Sequence, residues 1–173
     1  MPSVPGPVLT VRAASGLSGD MMLAGMALMA GVTQEDLDAL VASLGLPSLS
    51  PLPDAAGRTD ADSTGRAEHP VRLEARSVHA VAGWGCVVDL PHEHAHRSLI
   101  DIQEIIRASS LPAEVAALAM QTFTLLAVAE GAVHGKEPEA VTFHEVGALD
   151  SIVDICLVCA LFVRLAPVRF VCS

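Results

Sequence analysis

The stretch "DSIVDICLVCALFVRLA", residues 150–166, constrains this chain more than any other. From Ile152 to Val163 it is apolar except for Asp154. It falls short of the roughly 20 apolar residues needed to span a bilayer. A helix apolar on every side belongs in the middle of a core, with other elements packed around it. One domain is the default for 173 residues, and 51% hydrophobic residues supply enough material to enclose such a helix. Aromatics are only 3% and Tyr is absent, so that core has to be Ala, Leu, Val and Met. Asp154 is the exception that demands explanation. A carboxylate among apolar residues is costly to bury unless it is paired or meets a cation. Two readings stand: a structural pair with a His or Arg, Arg164 being one candidate, or membership of a functional site.

The preceding elements read in order. "VLTVRA" (8–13) is β-prone, "ASGLSGDMM" is a glycine turn, and "MMLAGMALMAGV" is a buried helix stopped by Gly31. Thr33 opens a second helix with Leu37, Leu40, Val41 and Leu44 at helical spacing and Gly45 at its C′ position. The short connection predicts a helical hairpin. Residues 47–70 are rich in Pro, Gly, Ser, Thr and Asp and read as a long flexible loop. "VRLEARSV" and "GWGCVVDL" read as a strand hairpin around "HAVAG". "SLIDIQEIIRASSL" is a helix with Ser98 and Asp101 as a capping box and Ile102, Ile105 and Ile106 on one face. The next helix starts near Pro112 and ends at Gly135, with an expected apolar stripe of Val115, Leu118, Thr122, Leu125, Leu126, Ala129 and Val133. A short extended piece, "AVTFHEVGALD", turns at Gly147, and "PVRFVCS" begins another strand. The expected fold class is therefore α/β in the mixed α+β sense: a small β-sheet packed with about five helices.

Composition excludes some function classes. The formal charge of −10 disfavours a nucleic-acid backbone, which requires Lys and Arg clusters. The scarcity of aromatics removes a base-stacking platform. The first 16 residues lack the basic and apolar regions of a signal peptide. Cys156 and Cys159 form a CxxC inside an apolar helix, read as small core residues rather than a redox or zinc pair. A cytoplasmic location, with no membrane and no nucleic acid as partner, follows as the default.

Three constellations carry potential chemistry. "PHEHAHRS" places His92, His94 and His96 at alternate positions, which on a strand share one face. Imidazole suits Ni, Cu, Zn and Co, so the segment reads either as a metal site or as a solvated connector. The last third brings Glu130 and His134 at i, i+4, His144 and Glu145 in "FHEVG", and Asp150 and Asp154 at i, i+4. Glu130 there reads as part of a solvated helix face. "SGLSGD" lies between strand and helix, either cradling a phosphate or forming a tight turn capped by Ser18 or Asp20. It matches neither the dinucleotide-binding nor the P-loop pattern.

In order, "SGLSGDM" (15–21), "HEHAHRSLIDI" (92–102), "AEGAVHG" (129–135) and "FHEVGALDSIVDI" (143–155) resemble the LarC family of nickel-insertion proteins of nickel-pincer nucleotide biosynthesis. The resemblance spans nearly the whole chain apart from 47–70. It implies insertion of nickel into pyridinium-3,5-bisthiocarboxylic acid mononucleotide, with one carbon–nickel and two sulfur–nickel bonds. CTP is hydrolysed with Mn or Mg, and the product is the nickel-pincer nucleotide cofactor. It implies metal handling by His92, His94, His96, His134 and His144. His144, Glu145, Asp150 and Asp154 become the inner catalytic site, and Ser15, Gly16, Ser18, Gly19 and Asp20 the contacts to the nucleotide.

The chain departs from the family in two ways. Arg12-Ala13-Ala14 stands where the family carries an acidic residue before the turn. The family's proteins also continue into a C-terminal CTP-binding domain, so residues 1–173 are expected to be a truncated N-terminal domain. A separate C-terminal CTP-binding partner then becomes an expectation, and self-association into a homo-oligomer is left open. The competing reading is a non-catalytic nickel-binding or chaperone module, or an inactive remnant.

Overall fold

A computed structural model describes residues 6–14, 16–46, 69–90, 96–143 and 146–173. Helix α5 (Leu149–Leu165) is its centre. Leu149, Ile152, Val153, Cys156, Leu157, Cys159, Ala160 and Leu161 are all buried, so the helix is covered on more than one side as its composition requires. Helices α1 (Gly19–Ala30), α2 (Gln34–Ser43) and α4 (Ala113–His134) pack on it, and α3 (Leu99–Ala108) packs on α4. Cys156 and Cys159 are core residues, as their setting predicts.

The mixed α/β class and the five helices agree with expectation. The strands differ in arrangement. Among the described residues they form three separate two-stranded sheets, not one. β1 (Val8–Val11) pairs in parallel with β6 (Arg169–Cys172), with Val8 opposite Arg169. β2 (Val71–Val78) and β3 (Val81–Val88) form an antiparallel hairpin that packs on α1 and α2. Its turn is tighter than "HAVAG" suggests. His79 and Ala80, at φ +48° and +64°, make a two-residue loop with both residues left-handed, a geometry that matches strand twist. β4 (Arg97–Ser98) and β5 (Thr142–Phe143) pair antiparallel, Arg97 opposite Phe143.

The capping signals act where they were read. Thr33 Oγ1 accepts from Asp36 N and Asp36 Oδ2 accepts from Thr33 N, a reciprocal box. Ser98 and Asp101 repeat it at α3. Gly31 and Gly135 end α1 and α4 in the left-handed conformation.

Two packing expectations are corrected. α1 and α2 do not form a hairpin along one another; α1 lies on α5 and β3, α2 on β2 and α5. Each buries its own apolar residues in the shared core instead, Leu23, Ala24, Met26 and Ala27 from α1 and Leu37 and Val41 from α2. The buried stripe of α4 is Val115, Ala119, Phe123, Ala127 and Gly131. Of the expected stripe, Leu118, Thr122 and Leu126 are half-buried, whereas Ala129, Leu125 (65% exposed) and Val133 (79%) face outward. α4 is apolar nearly all round, so its composition does not single out a face. Packing decides it: Ala119, Ala127 and Gly131 lie on the buried face, and a Cβ on Gly131 would lie 3.4 Å from Val141 Cγ2. By length and composition α4 could also cross a membrane, although here its small-residue face packs on protein.

The segment 47–68, most of the expected loop, lies outside the described residues. Beside it, His69 Nδ1 contacts Asp38 Oδ2 at 2.9 Å.

Candidate functional site

The glycine turn and the central helix meet at one point. Gly16 adopts φ +94°, in the region that favours glycine, and its N–H donates to Ala13 O at 2.9 Å, closing the turn after β1. Ser18 occupies the N-cap of α1 with an extended backbone, but its hydroxyl donates to Asp20 Oδ1 instead of accepting from the helix backbone. The next residue, Gly19, stands against Asp154: a Cβ there would overlap Asp154 Oδ2. A glycine at 19 is thus a spatial requirement of the carboxylate on α5.

Asp154 is not paired as a core carboxylate should be. Its Oδ1 is buried with no hydrogen-bond partner among the described residues. Arg164, one candidate partner, forms its ion pair with Asp36 at 3.5 Å instead. The two lie ten positions apart on α5, close to three turns, but Arg164 is in its last turn, beside α2. Burial first, then the Asp20 carboxylate, then Asp150, push the Asp154 carboxyl up from 3.8 to about 6. Asp150 sits in the first turn of α5, where its Oδ1 accepts from Ser151 N at 2.7 Å.

Cys86 on β3 joins this junction, and nothing in its strand-like surroundings marked it. Burial, followed by Asp154 and then Asp20, raises its thiol to about 11, so it is a neutral group facing carboxylates. On the other side of Asp154 opens a cavity of about 380 Å³ between α1, α4, α5 and β6. Met22, Leu118, Ile155, Val158, Phe162 and Phe170 wall it, with Gly19, Thr122, Asp154 and Cys159 completing the lining.

The structure therefore gathers Gly19, Asp20, Asp150 and Asp154. Glu130 and His134 form their own pair, His134 Nε2 lying 3.3 Å from Glu130 Oε1 on the exposed end of α4. His96 is exposed just before β4. Ser15, His92, His94, His144 and Glu145 lie outside the described residues. Among the described residues, no group of three His, Cys, Asp or Glu side chains is arranged to hold a metal. The register does set Arg97 beside Phe143 and Ser98 beside Thr142. Arg97 Nη1 also donates to Gly147 O at 2.7 Å, fixing the turn that leads into α5. A Cβ on Gly147 would lie 2.8 Å from Phe143 O, so that turn is closed as tightly as backbone allows.

A family model described as nickel insertion protein matches residues 9–173. The chain belongs to the nickel insertion protein family. A family relative from Nocardioides sp., named pyridinium-3,5-bisthiocarboxylic acid mononucleotide nickel insertion protein, is 37% identical over 157 residues, 90% of this chain and 34% of the relative. The protein of the same name from Desulfitobacterium hafniense is 36% identical over 82% of this chain and 30% of its own. A Synechocystis sp. relative, whose name also carries nickel insertion, is 41% identical over 84% of this chain and 32% of its own. The chain thus spans about a third of the length of these family members. No solved structure matches it.

For a nickel insertion protein, the electrostatics of the junction are informative. Helix N-termini commonly receive anions. Here Ser18 is engaged with Asp20, and Asp150 and Asp154 add negative charge nearby. The negative charge at this helix start does not fit a triphosphate such as that of CTP. A desolvated carboxylate titrating near neutrality suits a cation or a departing proton.

Proposed function

We propose that this chain takes part in inserting nickel into pyridinium-3,5-bisthiocarboxylic acid mononucleotide, yielding the nickel-pincer nucleotide cofactor. One observation carries the reading: the two motifs "SGLSGDM" and "FHEVGALDSIVDI" converge, Gly19 lying against Asp154. Nickel is substrate here. When a carbon–nickel bond forms at a ring carbon, the proton on that carbon has to leave. Asp154, raised to about 6, is the described group suited to accept it, because a general base works best with a pKa near the working pH. Asp20 and Asp150 keep that pKa up and make the junction attractive to a metal ion.

In this reading His92, His94 and His96 load nickel, and His134 and His144 are further ligands. Glu145 belongs with Asp150 and Asp154 at the inner site, and Ser15, Gly16, Ser18 and Gly19 adjoin the substrate. CTP hydrolysis with Mn or Mg belongs in this reading to a C-terminal CTP-binding region, and a separate C-terminal partner is one way of supplying it. The setting is the cytoplasm.

The test incubates the chain with the precursor, nickel and CTP–Mg, with and without the remaining region of the Nocardioides relative. Mass spectrometry then looks for the nickel isotope pattern in the nucleotide. Product that depends on Asp154, and is lost in Asp154→Asn, is expected; undiminished product from Asp154→Asn refutes the base assignment. The gathering of Asp20 and Asp150 around Asp154, negative charge suited to holding a cation, also fits a second reading, a nickel-holding module without chemistry. It predicts nickel binding lost in the triple variant His92→Ala, His94→Ala, His96→Ala and no product under any condition. Unchanged nickel affinity in the triple variant, measured by calorimetry, removes the loading role.

A further inference from the structure

The acidic junction and the cavity lie on different sides of Asp154. Asp20, Asp150 and Cys86 crowd its carboxylate, yet none of them lines the cavity of about 380 Å³. α1 and α4 both pack on α5 and leave this opening between them, with Phe170 of β6 closing part of its wall. The lining is nearly all apolar, and Thr122 is already satisfied, its Oγ1 donating to Leu118 O at 2.9 Å.

The apolar surface continues past the rim of the cavity. On α4, Leu118 and Thr122 line it, and Leu125, three positions past Thr122 and so on the same face, is exposed. On α1, Met22 lines it, and Met29, two turns further along that face, is exposed as well. Between these two methionines, a Cβ on Gly25 would meet nothing within 4 Å. Two helices therefore present apolar shoulders to an apolar trough, a continuity that marks an interaction surface. The strands beside the trough are open too. Parallel strands occur almost only in sheets covered on both faces. β1 and β6 are a parallel pair, yet Val8 and Phe170 are both exposed. Phe170 pairs with Leu9, the neighbour of Val8, so the two exposed side chains stand on opposite faces of the pair.

The family indicates what covers such a face. The match takes 34% of the Nocardioides relative and 30% of the Desulfitobacterium hafniense one, so about two-thirds of each lies outside it. Polypeptide joined after Ser173 would start next to β6 (Arg169–Cys172), which carries the trough's own wall residue Phe170. We infer that the trough between α1 and α4, with the open β1–β6 pair beside it, is the docking face for the polypeptide that longer family members carry outside the matched third, an apolar segment of which lies over Leu125 and Phe170. This deepens the proposed function and rests on it for the role of that polypeptide. The segment shuts water out from the cavity side of Asp154, and it leaves the side of Asp20 and Asp150 to nickel and the nucleotide.

The test joins this chain, after Ser173, to the remaining region of the Nocardioides relative and compares the chimera with the unextended chain. Both carry Cys172→Ser and one new exposed thiol, either Leu125→Cys on the trough or Val81→Cys beside the hairpin turn, and labelling by a maleimide is timed. In the chimera Leu125→Cys should react at least about tenfold more slowly than in the unextended chain, while Val81→Cys reacts alike in both. An unchanged rate at Leu125→Cys overturns the proposal, as does equal slowing at both positions. The unextended chain gives a second measurement that needs no chimera. There Leu125→Cys should label about as fast as Val81→Cys at every protein concentration. Labelling that slows as concentration rises gives the face to a second copy, and labelling slow throughout gives it to another segment of this chain; either result overturns the proposal. Nickel insertion by the chimera separates the two ideas. Product with Leu125→Cys unprotected overturns the docking face and leaves the function standing. Protection without product does the reverse.

Discussion

Replacing Asp154 by Asn should stabilise the protein while removing its chemistry. The unfolded chain ionises this carboxyl at 3.8 and the folded chain at about 6, because burial, Asp20 and Asp150 all oppose the charge. The folded state holds the proton more tightly, so ionisation opposes folding. Stability falls as pH rises from 3.8 through about 6, and the loss is complete above that range. The interval of 6 − 3.8, about 2 pH units at 1.36 kcal/mol each, corresponds to about 3 kcal/mol. Water reaching the open side of the cavity screens the charge and reduces this to about 2 kcal/mol. A neutral carboxamide keeps the size of the protonated carboxyl and escapes the penalty. Urea unfolding of both proteins at about pH 4.5 and about pH 8 isolates the effect, since Asp20, Asp150 and Cys86, the groups that share the junction, remain in both. The Asp154→Asn variant should be ahead by about 2 kcal/mol at the higher pH, or roughly 4–8 °C in Tm for a chain of this size, with the gap narrowing by more than half on acidification. A pH-independent difference, or a variant less stable than the parent at pH 8, would refute the view of Asp154 as an uncompensated charge.

Other outcomes follow from the same geometry. Gly19→Ala should cost roughly 1–3 kcal/mol in urea unfolding, because its methyl group overlaps Asp154 Oδ2. Most of that loss should vanish when Asp154→Ala is added, so additive losses in the double-mutant cycle would disprove the contact. Ser98→Ala removes the acceptor of Asp101 N, and should lower stability by about 1 kcal/mol as read from the urea midpoint. Thiol titration of the native protein should detect Cys172 alone: Cys86, Cys156 and Cys159 are buried, with thiols pushed to about 11, 12 and 11. All four should react in denaturant, and rapid native labelling of a second cysteine would contradict the packing of α5 or β3.

Local chemistry was legible, and facial choice among equivalent apolar surfaces was not. Thr33 and Ser98 announce their helices because a hydroxyl three residues before a carboxylate satisfies backbone groups that only a helix start exposes. Gly31 and Gly135 mark ends for a similar reason. α4 offered several apolar faces, and the one chosen, which carries Ala119, Ala127 and Gly131, depends on what α3 and α5 present to it. The division of the strands into three pairs likewise depends on long-range pairing. At the site, Asp154 was conspicuous because its surroundings are apolar, and Gly19 and Asp20 because they recur with it in the family's motifs. The pairing of Arg164 with Asp36 was hidden, since helical spacing along α5 says nothing about what α2 presents. Cys86, Phe162 and Phe170 carried no local signal; only the fold brings them to Asp154.

The parallel pair of β1 and β6 has a consequence for the order in which the molecule assembles. It joins Val8 to Arg169, so closing it alone from the unfolded chain would cost roughly 4–5 kcal/mol of loop entropy for about 160 intervening residues. Four ladder positions do not repay that in isolation. The pairing becomes favourable only after the helices have already brought these strands near, which places it among the last contacts of high contact order to form. Phe170 rides on β6 and closes the cavity wall against Phe162. The cavity is therefore completed at the end of folding, and a chain whose other helices are in place but whose β6 has peeled away would keep Asp154 and lose the aromatic wall beside it.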